Sequence, residues 1–320
     1  MKRDHVLIAD RVHPYLIQQL ESFGFLLDYQ PDIDYETFEQ RIRDTEGVVI
    51  NSKSPMRRAQ IASAKKLKWI ARLGSGLDII DLPYCQEKGV HVISAPEGNR
   101  NAVAEHALGM LLALQHQLFK ANREVKQFLW QREACRGDEL EGKTIGIIGY
   151  GNNGRAFAQK LAGLNVKVLA FDKYKQRYAT EERFVKETSL EELQRASDVI
   201  SLHVPLTEET RYWVDDTFLQ NCKSGAILIN TSRGKVVRTA SVIKALEKKY
   251  LKGACLDVFE NEKVETYTIE EKEQYERLFE FEQVVVSPHV AGWSHQSLFK
   301  IAESVCNKIL KFYDLKQSSK

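Results

Sequence analysis

One stretch, residues 144–172, constrains the fold of this chain more than any other. An apolar run at 144–148 leads into a glycine-rich turn at 149–154. A helix-compatible segment then ends at Gly163, and a second apolar run at 166–171 leads to the acid Asp172. Strand, glycine turn, helix, strand and acid in this order predict a βαβ unit of the kind that binds dinucleotides.

The turn itself has the residues that a bound pyrophosphate requires. Gly149 permits the tight turn, Gly151 lets the backbone approach the phosphates, and Gly154 lets the helix pack closely against the strand. The backbone amides of Asn152 and Asn153 are expected at the helix N-terminus, where the helix dipole is positive and favours phosphate.

The acid that ends the unit decides which dinucleotide is expected. Asp172 can accept hydrogen bonds from both hydroxyls of an adenine ribose and would repel a 2′-phosphate, so NAD is expected rather than NADP. A later strand of the same region ends at His203, whose neighbourhood we assign to the adenosine side of the cofactor. A purely structural role for His203 is the alternative.

The length of the chain and the repeated alternation of apolar runs and helical patterns predict two domains. A chain of 320 residues exceeds a single typical core. Short apolar runs alternate with helical patterns both before and after the βαβ unit, which is typical of parallel sheets covered by helices on both faces. A closing helical pattern at 296–313 has the length to pack back against the first region.

We therefore expect an α/β fold with two doubly wound parallel-sheet domains. A flavodoxin-like, substrate-binding domain would comprise 1–100 and 293–320, and a Rossmann NAD-binding domain would comprise 101–292. Between them, the apolar positions of 101–120 cover most of a helix circumference, so we predict one buried helix with Asn101 as its N-cap. Such a helix could cross between domains or form a dimer core.

Charge and composition exclude several classes of partner. The net charge of +2 is too small to argue for a nucleic acid or an anionic membrane. No apolar run approaches the ~18–20 residues that span a bilayer, and we expect no secretory leader because the first ten residues have charges but no long apolar region. Five cysteines are scattered, odd in number and without CxxC spacing, which indicates reduced thiols in the cytoplasm and no metal site.

Three polar residues follow three different predicted strands. They are Arg233 in NTSRG, Glu262 in DVFENE and His289 in SPHVAG. Ligands of open α/β sheets bind beyond the carboxyl ends of the strands, so the three side chains can converge on one cleft. Each has an ordinary alternative when taken singly: a surface arginine, a solvated glutamate and a histidine in a turn.

Together these three residue types suit hydride transfer at a carbon that bears oxygen. That oxygen must gain or lose a proton, and His289 can exchange one near neutral pH. Glu262 can orient the imidazole, and Arg233 offers a planar fork to a substrate carboxylate. No function is assigned to the remaining histidines, which are His5, His13, His91, His106, His116 and His295.

With these motifs in place, the chain resembles the D-isomer-specific 2-hydroxyacid dehydrogenases and, within that family, the D-3-phosphoglycerate dehydrogenases. The resemblance runs over nearly the whole chain, through RLGSGLDIID at 72–81, APEGNRNAVAEHALGMLL at 95–112, ELEGKTIGIIGYGNNG at 139–154, HVPLTEETR at 203–211, NTSRGKVV at 230–237, GACLDVFENE at 253–262 and SPHVAG at 287–292.

The resemblance implies a role for each matching position. The family's catalytic arginine, glutamate and histidine correspond to Arg233, Glu262 and His289. Its aspartate that holds the nicotinamide amide corresponds to Asp257. Further cofactor contacts are expected at Pro205, Thr231, Ser232 and Gly292, and substrate contacts are expected at Lys53, Ser75, Gly76 and Asn99.

Departures from the family pattern bear mainly on the substrate. Asn153 stands where an aliphatic residue is usual, and Lys263 replaces a proline near the start of an acidic insertion, 261–281. Asn51 stands where phosphoglycerate enzymes commonly have arginine. Lys53 could meet a phosphate instead, as could Arg132 or Arg136.

The expected activity is NAD-dependent interconversion of a D-2-hydroxy acid and a 2-keto acid, in a cytoplasmic homodimer. The 3-phosphoglycerate/3-phosphohydroxypyruvate pair of serine biosynthesis is the first expectation, and a glyoxylate/hydroxypyruvate or D-lactate-type reductase is the alternative. A non-enzymatic NAD-sensing protein, like the corepressors that share this fold, is the alternative of another class. We expect no regulatory domain after Lys320 and therefore no serine feedback.

Overall fold

The structure is a computed structural model that describes residues 4–179 and 184–315. The strands are β1 His5–Ile8, β2 Leu26–Tyr29, β3 Gly47–Ile50, β4 Trp69–Arg72, β5 His91–Ser94, β6 Thr144–Ile148, β7 Lys167–Phe171, β8 Val185–Glu187, β9 Val199–Leu202, β10 Ala226–Asn230, β11 Leu251–Leu256 and β12 Val284–Val286.

The α-helices are α1 Pro14–Ser22, α2 Tyr35–Arg41, α3 Arg58–Ser63, α4 Leu82–Lys88, α5 Arg100–Gln115, α6 Leu118–Lys126, α7 Asn152–Leu161, α8 Leu190–Ala196, α9 Asp216–Gln220, α10 Thr239–Glu247, α11 Ile269–Phe279 and α12 His295–Phe312. Short 3₁₀ helices lie at Ile42–Asp44, Glu133–Cys135, Gly234–Val236 and Val264–Thr266.

The chain divides into two compact units. Unit 1 lies within Met1–Arg100 and Trp293–Lys320, and unit 2 lies within Asn101–Gly292. Each unit contains one parallel sheet, with five strands in the first and seven in the second among the described residues. The predicted α/β fold with two parallel sheets is therefore confirmed.

Unit 1 is built around a sheet with the strand order β2-β1-β3-β4-β5. Successive residues of a strand point to opposite faces. Ile8 of β1 therefore packs in one cluster with Leu16 of α1 and Ile309 of α12, and Leu7 packs in the other with Phe38 of α2. Helices thus cover both faces of the sheet, which is why its central strands are mostly apolar.

Unit 2 has the strand order β12-β11-β10-β9-β6-β7-β8, and all of its pairings are parallel. Strand β6 lies between β7 and β9. After β6 the chain adds β7 and β8 on one side of it and then adds β9 to β12 on the other side. Such a point is where ligands bind in open α/β sheets, beyond the carboxyl ends of the strands. The glycine turn follows β6 directly, at residues 149–154.

The predicted single helix over 101–120 is wrong. Helix α5 ends at Gln115, Gln117 is left-handed with φ of 50°, and α6 begins at Leu118. The reason is a competing partner, because the amide of Asp138 donates to the Gln115 carbonyl at 2.9 Å. The predicted N-cap is also wrong, since α5 begins at Arg100 and the Asn101 side chain donates to Glu105 inside the helix.

Helix α5 is nevertheless buried, as its composition predicts. Ala107, Met110 and Leu111 belong to the apolar cluster on one face of the unit 2 sheet. Among the helices of residues 4–179 and 184–315, none combines the length and the apolar character needed to cross a membrane.

Candidate active site

The glycine turn after β6 is a cradle that side chains would fill. Gly149 has φ of 90°, a conformation that glycine adopts without strain. A Cβ at Gly154 would lie 2.0 Å from the Gly149 carbonyl oxygen, so helix α7 can approach the turn only with glycine there. At Gly151, which caps α7, no neighbouring atom lies within 4 Å of a Cβ position, so the space in front of the helix is open.

Asp172 lies at the end of β7 and is held by the backbone around it. Its Oδ2 accepts a hydrogen bond from the Tyr150 amide at 2.9 Å, and its Oδ1 accepts from the amides of Tyr174 and Lys175, both at 3.1 Å. The carboxylate is therefore fixed next to the glycine turn, at the position where the sequence predicts an adenine ribose.

Two polar atoms of the predicted cofactor residues are buried without a hydrogen-bond partner among the described residues, Asn153 Oδ1 and Thr231 Oγ1. Buried polar atoms are nearly always hydrogen-bonded, so each is available to a ligand. Asn152 and Asn153 are the first two residues of α7, whose N-terminus favours anions. Together with the open space at Gly151, this arrangement fits the pyrophosphate and sugars of NAD.

The segment after β10 is ordered by one buried side chain, Asn230. Its Oδ1 accepts from the amide and hydroxyl of Ser232, at 3.0 and 2.8 Å, and its Nδ2 donates to the Arg233 carbonyl at 3.0 Å. A Cβ at Gly234 would lie 1.8 Å from the Phe259 carbonyl oxygen, so only glycine allows this approach. The position of Arg233 is thus set by its two neighbours in the chain.

His289 and Glu262 form a direct pair at the ends of β12 and β11. His289 Nδ1 lies 2.8 Å from Glu262 Oε2, and Glu262 Oε1 accepts from the Phe259 amide at 3.3 Å. The ring atom Nε2 of His289 is therefore the one left for a substrate. The His289 backbone has φ of 55°, which is strained for a residue with a side chain.

The electrostatics tie Arg233 to this pair. Burial raises the pKa of Glu262. The hydrogen bond and charge of His289, the Phe259 amide and the charge of Arg233 lower it by more, so the pKa lies below its usual value. Glu262 is consequently an anion at neutral pH. The Glu262 carboxylate thus bonds the His289 imidazole and also feels the charge of Arg233.

Asp257, which follows β11, organises the loop that carries His289. It is 1% exposed, and its carboxylate accepts from Ser287 Oγ at 2.6 Å and from the amides of Val290 and Ala291 at 2.9 Å each. The His289 amide donates to the Asp257 carbonyl at 2.7 Å. A carboxylate offers about four acceptor positions, so one remains for a further donor.

His106 contacts the same network, although its sequence context indicated no function. From α5, its Nε2 lies 2.8 Å from Ser287 Oγ and 3.6 Å from Asp257 Oδ1. A histidine on an apolar helix has no local signal of such a contact, since its partner is 181 residues away in the chain.

His203 follows β9, the strand next to β6, and has structural contacts there. Its Nε2 lies 2.9 Å from Ser201 Oγ, and its ring packs against Phe157 at 5.5 Å between centroids. Burial lowers the pKa of His203 to about 4, so the ring is neutral at neutral pH. Its carbonyl oxygen would lie 2.4 Å from a Cβ at Gly149, which places the glycine turn directly against it. Pro205 follows, and its carbonyl accepts from Thr210.

The predicted substrate residues belong to unit 1, whereas the predicted catalytic and cofactor residues, through Gly292, belong to unit 2. Ser75 and Gly76 lie in the loop after β4. Asn99 Oδ1 is buried without a hydrogen-bond partner among the described residues. The Lys53 ammonium donates to the Pro31 carbonyl, so it already has a partner within unit 1.

Unit 2 therefore contains both an open glycine turn at the N-terminus of α7 and a directly bonded histidine–glutamate pair. Residues 108–291 match the family described as D-isomer specific 2-hydroxyacid dehydrogenase, NAD binding domain, which is more than half of the chain. The chain belongs to this family, so it is an NAD-dependent oxidoreductase.

Known relatives carry two different names. The chain is 33% identical over 288 residues to a glyoxylate reductase of Pyrococcus furiosus. The aligned region covers 88% of this chain and 83% of the relative. It is also 30% identical over 305 residues to a D-3-phosphoglycerate dehydrogenase of Archaeoglobus fulgidus. Here the aligned region covers 95% of this chain but 56% of the relative. The chain thus spans about half the length of the phosphoglycerate dehydrogenases that it matches.

Solved structures agree with the fold. A D-lactate dehydrogenase from Aquifex aeolicus, complexed with NAD and lactic acid, is 29% identical and superposes with a TM-score of 0.84 over 97% of this chain and 95% of that one.

Proposed function

We propose that this protein interconverts a D-2-hydroxy acid and its 2-keto acid, with Arg233, Glu262 and His289 as the catalytic residues. The observation that carries the proposal is the contact of 2.8 Å between His289 Nδ1 and Glu262 Oε2, in a site where the charge of Arg233 also acts on Glu262. Both side chains are partly exposed, at 46% and 38%, so a small anion can reach them.

The chemistry follows from the atoms that remain available. Glu262 accepts the Nδ1 hydrogen of His289, which leaves Nε2 to give a proton to the carbonyl oxygen in reduction or to take one from the hydroxyl in oxidation. Arg233 keeps its charge at any working pH and binds the substrate carboxylate.

Unit 2 contributes the cofactor site in this proposal. Gly149, Gly151 and Gly154 admit the pyrophosphate to the N-terminus of α7, and Asp172 accepts from the adenine ribose. The remaining cofactor contacts are Asn152, Asn153, His203, Pro205, Thr231, Ser232, Asp257 and Gly292. When bound, NAD supplies the acceptor or donor of hydride. Unit 1 is proposed to bind the substrate through Ser75, Gly76 and Asn99.

The substrate proposed first is the 3-phosphoglycerate/3-phosphohydroxypyruvate pair, which motif similarity and several relatives support. The second candidate is a small unphosphorylated 2-keto acid, such as glyoxylate, hydroxypyruvate or pyruvate. Two observations favour the second candidate: Asn51 offers no cation, and the Lys53 ammonium is bonded to Pro31. The names of other relatives and the solved structures agree with it.

One experiment tests both activity and substrate. NADH consumption is measured with 3-phosphohydroxypyruvate, glyoxylate, hydroxypyruvate and pyruvate for the wild type and for His289→Gln, with His116→Gln as a matched control. The proposal expects turnover of at least one acid, a loss of at least ~100-fold in His289→Gln and normal NADH binding. Turnover near wild type in His289→Gln would refute the role of His289, and NADH binding without turnover of any acid would favour an NAD-sensing protein.

Assembly as a cytoplasmic homodimer is also proposed. Large apolar side chains of unit 2 are exposed on and just after α6, notably Phe119 at 60%, Phe128 at 98% and Trp130 at 77%. Large exposed apolar side chains this close together in the chain favour an interaction surface. The cysteines are free thiols, as expected in a reducing compartment.

A further inference from the structure

We propose that His106 is a positioning residue for the acid–base histidine, acting through Ser287 and Asp257 on the loop that carries His289. This inference rests on the proposed function of His289. It concerns the arrangement of the loop and assigns His106 no contact with the reacting atoms.

The first step in the argument is the direction of the hydrogen bonds. Ser287 Oγ has a single hydrogen and lies 2.6 Å from Asp257 Oδ1, an acceptor that is 1% exposed and also receives the Val290 amide. The serine hydrogen is therefore committed to Asp257. His106 Nε2, at 2.8 Å from the same Oγ, must then be the donor. The contact requires the tautomer of His106 that carries hydrogen on Nε2.

The second step is the number of contacts that depend on Asp257. Four groups of the loop 287–291 donate to it: the Ser287 hydroxyl and the amides of His289, Val290 and Ala291. These bonds hold His289 at φ of 55°, a strained conformation that persists only when its surroundings enforce it. A buried carboxylate at this place also requires hydrogen-bond donors on every side.

The third step is the place of His106 in that set. Its side chain is 28% exposed, and it comes from α5, whose neighbouring residues are in the core of unit 2. It brings a nitrogen donor from helix α5 to a network whose other donors and acceptors belong to loop residues and the end of β11. Without the Nε2–H donor the loop loses this tie to α5, and Met110 Sδ, 3.8 Å from Ser287 Oγ, cannot replace it because a thioether has no hydrogen to donate.

The consequence is a loss of rate with little effect on cofactor binding. A small misplacement of a catalytic group is enough to reduce turnover strongly, so we expect His106→Leu to lower kcat at least about tenfold. The dissociation constant for NADH should stay within roughly threefold of wild type. His106→Gln places an amide N–H near the position of Nε2 and should recover most of the lost rate.

The test compares His106→Leu, His106→Gln and the control His116→Leu, which changes a histidine just beyond the end of α5. We would measure kcat, KM and NADH binding for each, with the best 2-keto acid. An unchanged kcat in His106→Leu would overturn the inference, as would equal loss in the leucine and glutamine variants or a drop in thermal stability alone. If the wild type reduces no 2-keto acid, the proposed function fails first and the inference falls with it.

A measurement that needs no activity tests the same contact. In wild-type protein labelled with ¹⁵N-histidine, the NMR spectrum reports which ring nitrogen of His106 carries hydrogen. Hydrogen on Nε2, with slowed exchange that disappears in Ser287→Ala, is the expected result. A neutral ring with hydrogen on Nδ1 alone would exclude donation to Ser287 and overturn the inference.

Discussion

Replacing Glu262 with glutamine separates the catalytic role of this carboxylate from any role in folding. The amide has the same shape, and its oxygen can still accept the Nδ1 hydrogen of His289, so the variant removes the charge and keeps the hydrogen bond. The two side chains are 46% and 38% exposed. A pair this exposed contributes less than about 1 kcal/mol to stability, so the melting temperature should hardly change.

The effect on catalysis should be larger than the effect on stability. A hydrogen bond to a charged group contributes about 1.5–3 kcal/mol and a neutral one about 0.5–1.5 kcal/mol, so the substitution costs about 1–1.5 kcal/mol in the charged transition state. At about 1.36 kcal/mol per factor of ten, kcat should fall about five- to twelvefold. Glu262→Ala removes the whole bond, and its kcat should fall about 10- to 150-fold.

The assay is NADH oxidation with the best 2-keto acid, beside thermal unfolding of each variant. Glu265→Gln is the matched control, because this residue lies in the neighbouring 3₁₀ helix Val264–Thr266 and is exposed. Its kcat should equal that of wild type. Wild-type rates in both Glu262 variants would refute the reasoning, as would a glutamine variant slower than the alanine variant.

Three further predictions address the cofactor site, the pH dependence and the assembly. In Gly154→Ala the new Cβ would lie 2.0 Å from the Gly149 carbonyl oxygen, so NADH titration should show an affinity at least ~10-fold weaker than that of wild type. Gly163→Ala is the control and should bind NADH normally, because no neighbouring atom lies within 4 Å of its new Cβ. Because the folded-state pKa of His203 is about 4 and the unfolded value is about 6.5, the unfolded chain binds the proton first, and stability is lost as pH falls from about 6.5 to about 4. Urea unfolding at about pH 7 and about pH 5 should differ by up to about 2 kcal/mol from this group, and His203→Gln should abolish that part; an unchanged pH dependence in the variant would contradict it. Trp130 is 77% exposed, and changing it to aspartate should disrupt the dimer interface. Light scattering should then detect monomers of Trp130→Asp and dimers of wild type, whereas a monomeric wild type would exclude the dimer.

Much of the fold was accessible from the sequence because its signals are local. Apolar runs predict the buried parallel strands, and the glycine turn places β6, α7 and β7 in order. Arg233, Glu262 and His289 could be selected because each follows a strand, and parallel strands bring their carboxyl ends to one edge. The structure brings Glu262 and His289 into direct contact, and the roles of all three residues in turnover are still predictions.

Other features depend on contacts between distant residues and have no local signal. The break at Gln117 arises because Asp138 takes the Gln115 carbonyl, and no glycine or proline marks it. The three-residue edge strand β8 is too short to show a periodicity. His106 lies on an apolar helix, and its partner Ser287 is remote in the chain.

Deuterium transfer from labelled NADH tests the central claim most directly. The protein is incubated with NADH deuterated at the transferable position and with each 2-keto acid, and the product is analysed for label and configuration. The account predicts a D-2-hydroxy acid with deuterium on C2, one per NADH consumed, and almost no product from His289→Gln. Bound NADH with no labelled hydroxy acid from any substrate, or equal labelling by wild type and His289→Gln, would contradict it.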